Sequence, residues 1–101
     1  MAEFTVKLGT RAFRDLKRLE TSAQESILRA LHALEPGPFA QGRKIKKLKG
    51  MESAIYRLRV DSATGSFRVL FSFAGEKIYV LRLGPKKDTD RIIRSLRKRG
   101  A

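Results

Sequence analysis

The stretch Tyr56–Phe71, YRLRVDSATGSFRVLF, decides the fold. Successive side chains of a strand point to opposite faces, so Tyr56, Leu58 and Val60 share one face while Arg57 and Arg59 occupy the other. A turn around Asp61–Gly65 follows, and the alternation resumes with Phe67, Val69, Phe71 and Phe73 on one face and Arg68 on the other. Two such strands must bury their apolar face against another element. Their second face carries three guanidinium groups and is expected to be an uncovered sheet surface.

Working outward, FAGEK (73–77) turns the chain into KIYVLRL (77–83), a further strand, and EFTVKL (3–8) alternates Phe4, Val6 and Leu8 as a first one. Thr10 suits the cap of a helix over Arg11–Leu19, with Ala12, Phe13 and Leu16 inward and Arg11, Arg14, Lys17 and Arg18 outward. Thr21 with Gln24 resembles a capping box opening a second helix, whose stripe is Ile27, Leu31 and Leu34. EPGPF (35–39) ends that helix, because two prolines and a glycine cannot continue it. The segment 40–54 reads as a connection and contains RKIKKLK (43–49), five basic residues in seven. After GPKKD (84–88), TDRIIRSLRKRGA (89–101) reads as a short basic helix capped by Asp88 or Thr89. The expectation is one α+β domain over residues 1–101, ordered β-α-α-β-β-β-α. Its sheet is four-stranded and largely antiparallel, with the helix pair on one face.

Composition narrows the chemistry. Hydrophobic residues at 42% suit a folded chain of one domain. Twenty-three Lys and Arg against ten Asp and Glu leave a net charge of +13, which favours nucleic acid, an anionic membrane surface or an acidic protein as partner. With no cysteine and His32 as the single histidine, neither disulfides nor a zinc or haem site is expected, and no cofactor is implied. No apolar run reaches transmembrane length and MAEFTVKLGT is no signal peptide, so no membrane role and a soluble cytoplasmic location are expected.

Arginines on the outer face of a half-covered sheet are ordinary one at a time. Clustered, they repel one another unless an anion sits among them. Lys86 and Lys87 follow the strand expected beside the one bearing Arg68 and can reach the same patch. The planar guanidinium fork suits phosphate oxygens. The chain lacks an aromatic strand on which bases could stack, and Tyr56 points inward, so the patch suits backbone recognition rather than base reading. His32, on a helix, reads as a surface or boundary residue rather than a catalyst.

KLKGMESAIYRLRVDSATGSFRVLFSF (47–73), followed by KIYVLRLGPKK (77–87) and preceded by AFRDLKRL (12–19), resembles the RelE/ParE superfamily of toxins from type II toxin–antitoxin systems. The resemblance covers most of the chain. Its marks are a K-L-[KR]-G step, a Y-R-L-R-V strand, an aromatic-Arg strand and an apolar strand closing on glycine. The RelE branch implies a ribosome-dependent mRNA endoribonuclease without a metal. The ParE branch implies instead an inhibitor of DNA gyrase, and a third alternative is a non-toxic nucleic-acid-binding protein on the same scaffold.

Position by position, the resemblance assigns Arg57 and Arg68 to phosphate stabilisation, Arg59 to orienting the nucleotide or binding its phosphate, and Lys86 to protonating the leaving oxygen. Lys44, Lys46, Lys47, Lys49 and Lys87, with the arginines of the first helix, would contact RNA and the ribosome. The second-strand pair is often lysine in RelE-type toxins; here both are arginine, too basic to serve as a general base. The C-terminal tyrosine or histidine of that branch is absent, Asp90 or Ile92 being the alignable residue, and no general base is identifiable. An acidic antitoxin that folds across the basic surface is the expected partner, with operator DNA met only through that complex.

Overall fold

Alternation in the central hairpin produces the sheet, and its apolar face recruits the helices. The computed structural model describes residues 3–37 and 44–100, the last three by their backbone alone. In chain order the elements are β1 (Thr5–Leu8), α1 (Thr10–Lys17), α2 (Thr21–His32), β2 (Ile45–Lys47), β3 (Tyr56–Ser62), β4 (Gly65–Ala74), β5 (Lys77–Pro85) and α3 (Lys86–Gly100). They form one sheet ordered β1-β5-β4-β3-β2, antiparallel except where β1 runs parallel to β5.

The expected α+β class is present, but the sheet has five strands rather than four. The additional strand, β2, lies inside the basic segment that reads as a connection. Its three residues carry one apolar side chain, Ile45, so there is no alternation long enough to read. Ile45 pairs with Leu58 and is buried in the main core. Of the expected connection, residues 40–43, and with them Arg43, lie outside the described residues, as do Pro38 and Phe39.

Helix starts also differ from expectation. Gly9 and Glu20 occupy the N-cap positions of α1 and α2, and neither helix has a side-chain cap bond. Gln24 turns away from a capping box and donates to the Leu16 and Leu19 carbonyls at 2.9 and 3.0 Å, tying α2 to the end of α1. Helix α3 begins at Lys86, immediately after β5, rather than at Asp88 or Thr89. Thr89 is fully buried inside it, its hydroxyl donating to the Pro85 and Lys86 carbonyls.

On the first face of the sheet, α1 and α2 bury Ala12, Leu16, Ile27 and Leu31 against Leu58, Val69, Phe71 and Val80. Tyr56 points into this layer, its ring stacked on Phe71 at a centroid distance of 5.7 Å. On the second face α3 docks Ile93 against Leu70 and Ile55, with Leu48, Met51, Ile92 and Leu96 around them. Alternation alone implies that this face is open; α3 covers part of it. A bulge opposite Leu70 and Phe71 leaves Leu81 outside the pairing, because Leu70 faces Arg82 and Phe71 faces Val80. The extra residue reverses the alternation of β5, so Val80 and Leu83 both reach the first-face core.

Candidate active site

Register determines which charges meet. Arg59 lies directly opposite Arg68, and Arg57 lies between Lys46 and Leu70 on the neighbouring strands. Residues opposite one another in an antiparallel pair share a face. Lys46, Arg57, Arg59 and Arg68 therefore project together from the second face of the sheet. With Lys44 and Ile45 they line an open cleft of about 480 Å³. Among the described residues, five cations and no carboxylate line this cleft, although Asp61 lies 3.6 Å from Arg59 beside it.

The cleft differs from a solvated charge cluster in how deeply its centre is set. Arg68, expected at the surface, is 7% exposed. Its Nη1 donates to Ser66 Oγ at 2.6 Å and to the Phe67 carbonyl at 3.1 Å. Its Nε, and that of Arg57, are buried without a hydrogen-bond partner. A buried donor left unpaired costs on the order of 1–3 kcal/mol, more when charged. Burial first, and then the charges of Arg57 and Arg59, hold the Arg68 guanidinium below the usual arginine value, while Asp61 and Asp90 oppose them.

The remaining expected residues distribute unevenly around this centre. Lys44 and Lys46 join it. Lys47 pairs with Tyr56 and so belongs to the opposite face of β2. Lys49 is exposed in the turn before β3, where its carbonyl accepts from Arg97 Nε at 2.9 Å. Lys86 follows by two residues Gly84, the register partner of Arg68, and pairs with Asp90 one helical turn on, Nζ to Oδ2 at 3.6 Å. Lys87 is exposed on the first turn of α3. His32 is exposed and lies 2.9 Å from Glu35, away from the cleft.

A second basic region lies at the β5 edge of the sheet, which the sequence shows only in part. Beyond β1 the edge of β5 is unpaired, and Asp15 of α1 covers it by accepting from the Leu83 amide at 3.1 Å. The same carboxylate holds Arg82 through two bonds, from Nε at 2.8 Å and Nη2 at 3.2 Å. This pairing raises the Arg82 guanidinium above the usual value, against its partial burial. Arg82 and Arg18 line a cleft of about 360 Å³ with Arg91 of α3, and Arg11 and Arg14 adjoin it. Asp15 and Arg82 are 67 residues apart, a separation no local pattern reports.

Comparisons with known proteins agree with this architecture. A double arginine-to-alanine mutant of the Escherichia coli toxin RelE, in the free state, is similar at a TM-score of 0.69 with 18% identity, over 98% of this chain and 97% of that one. The Mycobacterium tuberculosis toxin–antitoxin complex RelBE2 contains a chain similar at 0.67 with 26% identity, covering 85% and 94% respectively. A chain of the archaeal RelE–RelB complex from Pyrococcus horikoshii gives 0.63 with 24% identity, over 82% and 94%. No curated protein matches the chain significantly. The family of phage-derived Gp49-like proteins matches residues 14–97, more than half of the chain, and it is to this family, on a RelE-like toxin fold, that the chain belongs.

Proposed function

We propose that this protein is the toxin of a type II toxin–antitoxin pair and that it cleaves ribosome-bound mRNA without a metal. The observation that carries this reading is the cleft of five cations and no carboxylate, with two buried guanidinium Nε groups left unpartnered. A phosphodiester supplies the negative charge that this cluster of cations lacks. During attack of a 2′-hydroxyl on the adjacent phosphorus, negative charge grows on the phosphoryl oxygens, so rigid cations stabilise the transition state beyond the ground state.

In this mechanism the 2′-oxygen bonds to phosphorus as the bond to the 5′-oxygen breaks, leaving a 2′,3′-cyclic phosphate. Arg68 and Arg57 bind the phosphoryl oxygens, and Arg59 holds the neighbouring nucleotide. Lys86 delivers a proton to the departing 5′-oxygen. Arginine cannot take the 2′-hydroxyl proton; that proton passes to water or to an acceptor on the ribosome, which positions the message and completes a site that is weak on its own. Lys44 and Lys46, together with Arg11, Arg14 and Arg18 around the second cleft, meet ribosomal RNA through salt-sensitive contacts. The antitoxin partner of the RelBE2 and archaeal complexes supports an acidic antitoxin here, drawn to a chain of charge +13.

Primer extension on translated messages after brief induction tests this reading. Cuts within codons are expected, with 2′,3′-cyclic phosphate ends. Intact messages accompanied by gyrase-linked DNA breaks would replace this reading with the gyrase one.

A further inference from the structure

The hairpin that carries Arg68 places an acid and a hydroxyl beside the arginine pair. Ser62 and Gly65 close a two-residue loop. Ser62 Oγ accepts from the Thr64 amide at 3.2 Å and lies 3.3 Å from the Gly65 carbonyl, to which it donates. Gly65 adopts φ +147°, a conformation that side chains disfavour. This turn sets Asp61 opposite Ser66, beside the pair in which Arg59 faces Arg68.

Within that square of four residues the hydrogen bonds have one direction. Ser66 Oγ donates to Asp61 Oδ1 at 3.2 Å and accepts from Arg68 Nη1 at 2.6 Å. A hydroxyl has one proton to give, and here it goes to the carboxylate, leaving the oxygen lone pairs for the guanidinium. A chain donor–hydroxyl–carboxylate polarises along its length. Arg59 Nε also lies 3.6 Å from Asp61 Oδ2, but both side chains are more than half exposed and that contact is weak. Ser66 is thus the partner that fixes the head of Arg68, while the Phe67 carbonyl holds the same nitrogen through a second bond.

We propose that Ser66 is a positioning residue: its hydroxyl, polarised by Asp61, locks one arm of the Arg68 guanidinium so that the planar fork is held in place where it lines the cleft, ready for a phosphate oxygen. This rests on reading the cleft as a phosphate-handling site. A catalytic donor must be placed within a fraction of an ångström, and loss of that placement lowers turnover more than binding. A merely structural Ser66 would instead offset the repulsion between Arg59 and Arg68 and change stability alone.

The test compares wild type, Ser66→Ala, Ser66→Thr and Asp61→Asn by cleavage of a ribosome-bound message and by the 15N signal of Arg68 Nε–H in the free protein. Ser66→Ala is expected to lower kcat about tenfold or more with KM nearly unchanged, and to broaden the Arg68 signal. Ser66→Thr, which keeps the hydroxyl and suits a strand, should recover most of both. Asp61→Asn should lower kcat in the same direction, and it carries the test if Ser66→Ala does not fold. Unchanged kcat in a folded Ser66→Ala protein overturns the proposal, as does a fall in kcat with the Arg68 signal undisturbed. If wild type cleaves no message, the nuclease reading fails separately, and the relay stands or falls on the Arg68 signal alone.

Discussion

The two faces of the sheet come from the same strands and are built for opposite ends. On the first, Phe71, Val69 and Leu58 meet two helices in a continuous apolar layer. On the second, Leu70 belongs to a cluster with only two other buried members among the described residues, and the neighbouring ground is given to arginines. The first face gains free energy from burial. The second accepts a cost, since a buried cation beside two like charges is less stable than in water. Because the folded-state value of Arg68 lies below its unfolded one, that cost is present at every pH below the folded value. It fades only as pH rises toward the ordinary arginine range. Such a cost persists where function needs it.

Substitutions that separate the faces should therefore fall into a sequence of declining effects. The largest is Phe71→Ala, which removes a fully buried ring and its stacking on Tyr56. A loss of about 3–5 kcal/mol is expected in denaturant unfolding, a large part of a typical domain's stability. Leu70→Ala on the second face should cost less, near the lower end of about 2–5 kcal/mol, because a small cluster relaxes more readily. Hydrogen exchange should show that loss concentrated in α3. An equal cost for the two would contradict the contrast between the faces.

Asp15→Asn probes the β5 edge, where one carboxylate serves both Arg82 and the Leu83 amide. About 1–3 kcal/mol should be lost, the range for disrupting a half-buried charged hydrogen-bond set. Sulfate should raise the melting temperature of wild type by relieving the arginine cluster, and raise it much less in Arg68→Ala. Since no arginine titrates between about pH 5 and 9, this difference should stay constant over that range. The smallest effect belongs to Arg59→Ala, whose pairing with Asp61 is solvent-exposed; its stability should stay within about 0.5 kcal/mol of wild type.

The same contrast explains what can be read from residues alone. Alternation in YRLRV and SFRVLF reports both faces of the hairpin, because period two is local. It also puts Arg57, Arg59 and Arg68 on one side by residue order alone. The burial of Arg68 is not local: it depends on the packing around the central strand β4, which the alternation of the hairpin does not report. Strand β2 escapes such a reading because Ile45 alone cannot establish a period among lysines. The Leu81 bulge escapes it because KIYVLRL alternates equally well in either phase. Ser66 and Asp61 look like turn residues, and only their register opposite one another makes them neighbours of Arg68.

On the proposed function, the arginine face performs chemistry while the opposite face holds the fold, and Arg68 tests this division most directly. Purified Arg68→Ala and Arg68→Lys proteins would be compared with wild type for cleavage of a message in the ribosome and for thermal unfolding. Arg68→Ala should remain folded, with stability unchanged or slightly raised by removal of a desolvated charge. Its cleavage rate should nevertheless fall by about a hundredfold or more, the scale for losing one transition-state donor. Arg68→Lys should recover only part, since an ammonium lacks the planar fork. A folded Arg68→Ala protein that cleaves at the wild-type rate would contradict the account.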